Sequence, residues 1–142
     1  MIHFNESDIS CRVTGRLAVR SWLSNIIESR DKTVGEISVV MCSDKLLLET
    51  NQKYLNHDYY TDIITFDYTE GDQISGDLMI SYERVKENAK KEKVSVQHEL
   101  RRVMVHGVLH LLGFKDKSER EAAEMRSQED AALGLFHVEH SK

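Results

Sequence analysis

The sequence predicts an α/β chain of the α+β kind, with a small mixed sheet of about four strands covered by about five or six helices in one domain spanning 1–142. Two observations point there. Four short segments before Tyr82 read as strands, two of them close enough for a hairpin. From Tyr82 onward the apolar residues recur only at helical spacing, so strands and helices partly segregate along the chain. A chain of 142 residues is long enough to bury roughly two-thirds of its unfolded surface.

Ile2 to Phe4 suits a short first strand. Between Thr14 and Arg30, Val19, Trp22, Leu23, Ile26 and Ile27 mark one face of an amphipathic helix. Glu36 to Cys42 alternates around Ile37, Val39 and Val40 and reads as a strand. Ser43 then caps a helix carrying Leu47, Leu48, Asn51 and Leu55. Asp62 to Tyr68 is a strand, the polar Glu70–Ser75 segment with Gly71 a turn, and Gly76 to Ser81 the returning strand. Helices follow at about Tyr82–Glu92, Val96–Leu112 and Glu119–Leu133. Ser118-Glu119-Arg120-Glu121 is a capping box for the last of these.

No apolar run approaches the ~20 residues that a membrane-spanning helix needs, so no membrane partner is expected. The N-terminus lacks the basic and apolar regions of a signal peptide, and two cysteines cannot make a disulfide framework. A cytoplasmic protein with reduced thiols follows. A net charge of -5 argues against a uniformly nucleic-acid-binding surface but leaves room for a local patch. The densest basic run, Arg84, Lys86, Lys90, Lys91, Lys93, Arg101 and Arg102, is either a solvated helix face or a phosphate-facing patch.

The chemistry concentrates in His106-Gly107-Val108-Leu109-His110-Leu111-Leu112-Gly113-Phe114-Lys115-Asp116. Histidines four apart share a helix side, Gly113 lets the helix end, and Asp116 follows within reach of both rings. Leu100, Met104, Val108 and Leu111 fall on another face, so the imidazoles should look into a cleft. Two imidazoles and a carboxylate are the ligand set of one Zn²⁺ ion with an open fourth position, whose bound water could attack a phosphodiester, an amide or an ester. Gly107 stands where zinc peptidases of the H-E-x-x-H type place their glutamate base, which disfavours proteolysis. That glycine serves either a close approach of substrate or helix packing.

The chain resembles the YbeY family. His106-Gly-Val-Leu-His110-Leu-Leu-Gly113-Phe114 follows its H-G-x-L-H-L-x-G-[YF] motif, and Thr61-Asp62-Ile63-Ile64-Thr65-Phe66 its T-D-V-L-S-F strand. Gly76-Asp77-Leu78-Met79-Ile80-Ser81 is similar to its G-D-I-x-I-S strand, Asn51 and Tyr54 to its N-x-x-Y, and Met125 with Glu129 suits its last helix. The resemblance implies a metal-dependent, single-strand-specific endoribonuclease of late 16S rRNA 3′-end maturation, ribosome biogenesis and small-subunit quality control. Its implied partners are rRNA, the small ribosomal subunit and ribosome-associated proteins.

Two positions depart from the family. Asp116 stands where the family has a third histidine, and Leu55 where it has an arginine after the aligned tyrosine. A leucine cannot hold a phosphate, so no catalytic side chain is assigned beyond the metal-bound water; Lys53 and His57 lie nearby. Tyr54, Asp62 and Asp77 are candidate cleft residues, Asp77 with a strand-start role as its alternative. The rival function is a metal-stabilised ribosome-assembly binding protein with weak or no nuclease activity.

Overall fold

The computed structural model describes residues 1–57 and 60–140. Its elements run β1 (Ile2–Glu6), α1 (Arg16–Glu28), β2 (Thr33–Cys42), α2 (Asp44–Leu55), β3 (Ile63–Asp67), β4 (Gln73–Ser81), α3 (Tyr82–Glu92), α4 (Val96–Leu111) and α5 (Glu119–His140). The sheet order is β1-β2-β4-β3, with β1/β2 and β2/β4 parallel and β3/β4 antiparallel. This is the expected mixed four-stranded sheet with five helices, and the expected hairpin joins β3 to β4.

Side-chain alternation along the strands gives the sheet two covered faces. Ile37, Val39, Met41, Leu78 and Ile80 point into the larger core with Trp22, Leu23 and Ile27 of α1 and Leu100, Met104 and Val108 of α4. On the opposite face, Cys42, Leu47 and Ile64 form a smaller cluster, extended by Phe66 and Met79. Every buried apolar position assigned to the face of α4 lies in the larger core.

Three boundaries differ from the sequence reading by three residues or more, and the others by two at most. β2 starts at Thr33 rather than Glu36, because the strand continues through a register irregularity between Val34 and Ile37. Gly35 sits there against β4, where an added Cβ would lie 2.1 Å from Ser75 Oγ. β4 starts at Gln73, so the turn is only the stretch around Gly71 (φ 58°), closed by mutual hydrogen bonds of Glu70 and Gln73. α5 runs past Leu133 to His140. Phe136 packs edge-on against Trp22, ring centroids 5.3 Å apart, and Arg101 lies over its ring, so tertiary contacts hold the helix through Gly134.

Gly107 resolves as a packing residue. A Cβ there would lie 2.8 Å from Ile63 Cδ1 and from Leu78 Cδ2, so its absence lets α4 lie directly on β3 and β4. The close packing sets where the histidines on the neighbouring sector of α4 emerge. Among the described residues, no helix is long and apolar enough to cross a membrane.

Candidate metal centre

α4 is started by Ser95, whose hydroxyl accepts from the His98 N–H. At its other end Gly113 takes φ 104°, a conformation L side chains rarely adopt, and the chain reverses. The Gly113 and Phe114 N–H groups donate to the His110 and Leu109 carbonyls, both at 3.0 Å. This turn brings the Phe114 carbonyl under one imidazole and Asp116 against both.

The hydrogen bonds fix the state of each ring. His110 Nδ1 lies 3.0 Å from the Phe114 carbonyl, which can only accept, so Nδ1 carries the proton. His106 Nδ1 lies 2.6 Å from Glu129 Oε2, and the carboxylate likewise demands a donor. With the rings neutral, as metal ligation requires, both Nε2 lone pairs point inward. They lie 3.0 Å from each other and 3.3 Å each from Asp116 Oδ2. Three electron-pair donors converging at that range repel unless a cation sits among them. Donors around a tetrahedral ion with bonds of 2.0–2.1 Å stand about 3.3–3.4 Å apart, so the spacing fits a first-row divalent metal. Among the described residues this is the one group of three such side chains with ligand atoms within 4.8 Å of one another.

Glu129, on α5, is buried and belongs to a second layer. Arg102 holds its other oxygen at 3.0 Å and reaches Asp130 at 2.8 Å, locking α5 to α4. Burial opposes charging His106, but the Glu129 hydrogen bond and the charges of Glu129, Asp62 and Asp116 outweigh it and hold its pKa above the ordinary value.

The triad opens into a cleft of about 1050 Å³ between α4, α5, α3 and the start of β3. Asp62 lies on its wall, accepting from Asn88 Nδ2 at 3.3 Å. Burial, only partly offset by the charge of His106, pushes its carboxyl above the usual range. Leu55 and His57 also line the cleft. Tyr54 and Asp77 do not. Tyr54 is 63% exposed and packs edge-on against Phe66, in the cluster on the α2 face, with Lys53 over its ring. Asp77 is a mid-strand residue of β4, paired with Phe66 and Ser38 and bonded to Tyr68; alternation turns it away from Leu78 and the α4 face. It is neither a cleft residue nor a strand start.

The basic run is dispersed. Arg84 pairs with Asp44 and Glu87, Arg101 with the Phe136 ring and Arg102 with Glu129 and Asp130, leaving Lys91 and Arg102 of that run on the cleft wall. Carboxylates outnumber cations there. Glu99, Asn88 and Arg126 are cleft residues the sequence reading passed over. Glu99 had a signal, since it lies seven residues before His106 on the same helix side. Asn88 and Arg126 had none, because they come from other helices.

A mixed sheet carrying a buried helix with a His/His/Asp triad over an open cleft defines the class of metal-site hydrolase-like α+β proteins. Within that class the chain belongs to the YbeY endoribonuclease family: the family model described as Endoribonuclease YbeY matches residues 2–137. An Endoribonuclease YbeY of Flavobacterium psychrophilum is 50% identical over 141 residues, covering 99% of this chain and 100% of that protein. One of Porphyromonas gingivalis is 45% identical over 135 residues, covering 95% of this chain and 89% of that one. A solution structure from Thermotoga maritima matches with TM-score 0.65 and 26% identity, covering 99% of this chain and 95% of that chain.

Proposed function

We propose that this chain, as one domain over 1–142, is a cytoplasmic zinc-dependent endoribonuclease acting on single-stranded RNA in late 16S rRNA 3′-end maturation and small-subunit quality control. The observation that carries the reading is the convergence of His106 Nε2, His110 Nε2 and Asp116 Oδ2 at 3.0–3.3 Å, each histidine held in the tautomer a metal requires. Zinc bound there supplies Lewis-acid polarisation of a phosphoryl oxygen and activation of water. His106, His110 and Asp116 hold it; Glu129 and the Phe114 carbonyl orient the rings. Asp62 faces the same space with a carboxyl that retains its proton more readily than an exposed aspartate. Lys91, Lys117 and Arg126 supply positive charge along the path of an RNA backbone.

The test is cleavage of a single-stranded ribosomal precursor RNA by the zinc-loaded protein, beside its duplex form and beside His110→Ala and Asp116→Ala. Cleavage confined to single strands and lost in both variants is expected. Two observations favour the second reading, a binding protein with weak nuclease activity: Leu55 lines the cleft where a phosphate-holding arginine would be useful, and carboxylates dominate the wall. A folded His110→Ala protein that still supports rRNA processing would decide for it.

A further inference from the structure

Glu99 is a buried carboxylate in the cleft that the metal centre does not use. It is 5% exposed and lines the cleft. Among the described residues no hydrogen bond reaches its carboxylate. Its oxygens are not sealed off either, since the fully occluded side-chain nitrogen and oxygen atoms without partners are Arg84 Nε and Arg101 Nε. Arg102, the cation that acts most strongly on Glu99, is committed to Glu129 and Asp130. A buried carboxylate left in this state costs stability unless something arrives to donate to it.

Its position says what could arrive. Glu99, Val103, His106 and His110 follow one another at helical spacing along one side of α4. Seven residues separate Glu99 from His106, about 10 Å along the axis. That is the reach from a phosphate at the triad to the edge of a neighbouring base. A second metal ion has no cage here, since no other three acidic, histidine or cysteine side chains among the described residues gather closely enough.

We propose that Glu99 forms a nucleobase subsite that selects guanine. This rests on the reading of the cleft as an RNA site. A carboxylate has two coplanar acceptors, and guanine alone among the RNA bases presents two adjacent donors, N1–H and N2–H₂, on its Watson–Crick edge. Adenine and cytosine place an acceptor beside the amino group, and uracil flanks its one donor with two acceptors. Unstacked single-stranded bases are read on this edge. Val103, one turn along α4, adds apolar surface beside the carboxylate.

The experiment is calorimetric titration of the zinc-loaded protein with GMP, AMP, CMP, UMP and IMP, on wild type and Glu99→Gln. Wild type should bind GMP about 5- to 150-fold tighter than the other natural nucleotides, the range one bidentate pair supplies. IMP, which keeps N1–H and lacks the amino group, should fall between. Glu99→Gln replaces one acceptor by a donor and should move the preference toward AMP. Equal binding of all five, no binding of GMP, or a GMP preference that survives in Glu99→Gln overturns the proposal. If the variant fails to fold, the GMP-to-IMP ratio on wild type decides alone. Cleavage of a single-stranded oligoribonucleotide is scored separately: intact GMP preference without cleavage removes the nuclease reading and leaves the subsite standing.

Discussion

The imidazole of His106 is aimed by a carboxylate twenty-three residues away in the chain, and that carboxylate is itself gripped by Arg102. The Glu129 contact fixes which ring nitrogen carries the proton and raises the electron density of the other. Outer-shell carboxylates of this kind typically change metal affinity 10- to 100-fold. Glu129→Ala should therefore lower zinc affinity by about that factor, read by competition with a chromophoric chelator, with Glu129→Gln in between. Unchanged affinity in Glu129→Ala would remove this role. Glu99 makes a prediction of another kind. Burial raises its pKa above the ordinary value, ahead of the opposing charge of Arg102. An acid raised in the folded state ionises at unfolded-chain pH only by destabilising the fold. Wild type should match Glu99→Gln near pH 4, lose ground as pH rises through the folded pKa, and remain less stable at pH 8. Urea midpoints of the two proteins at both pH values check this; a gap that closes with rising pH contradicts it. The roles of these residues were only half legible in the sequence. Spacing on α4 placed His106 and His110 on one side and could have placed Glu99 with them, but nothing local connects Glu129 to His106.

α4 does two jobs at once, filling the core with one side and presenting ligands on the other, and glycines make that possible. Gly107 admits the sheet beneath the helix. Gly76 does the same from the sheet side: a Cβ there would lie 2.4 Å from the Phe66 carbonyl oxygen and 2.8 Å from Leu111 Cδ2. The carbonyl belongs to the β3/β4 ladder and cannot retreat without breaking it. Gly76→Ala should cost about 1–3 kcal/mol, the range for overpacking a filled core, measured by urea unfolding. A variant as stable as wild type would show that β4 shifts there without cost. At this scale the sequence was most readable. Serine caps at Ser43 and Ser95 and the reciprocal Ser118–Glu121 box are local chemistry, and each starts its helix where the residues indicated. The end of α5 was not readable, because contacts from Trp22 and Arg101, and no local signal, carry it past Gly134.

Across the whole molecule the metal site and the core are separate sources of stability. The larger cluster fills the space between the sheet, α1 and α4 without using any of the three ligands. A metal ion held by α4 and the Asp116 loop would favour the folded chain by mass action, about 2.7 kcal/mol at a hundredfold excess over Kd. Chelation should lower Tm by several degrees while leaving the far-UV helical signal intact at 25 °C. Loss of that signal on chelation would mean that the core depends on the ion. The sequence by itself determined the elements, the hairpin, the apolar side of α4 and the His106/His110/Asp116 grouping, because all of these arise from periodicity, capping and short-range spacing. Only the tertiary structure decided that Asp77 and Tyr54 belong to the opposite face, that Gly107 serves packing, and that Glu129, Asn88 and Arg126 join the cleft. Those outcomes depend on which strand face turns toward α4 and on how α3 and α5 close against it, and such long-range choices leave no mark on neighbouring residues.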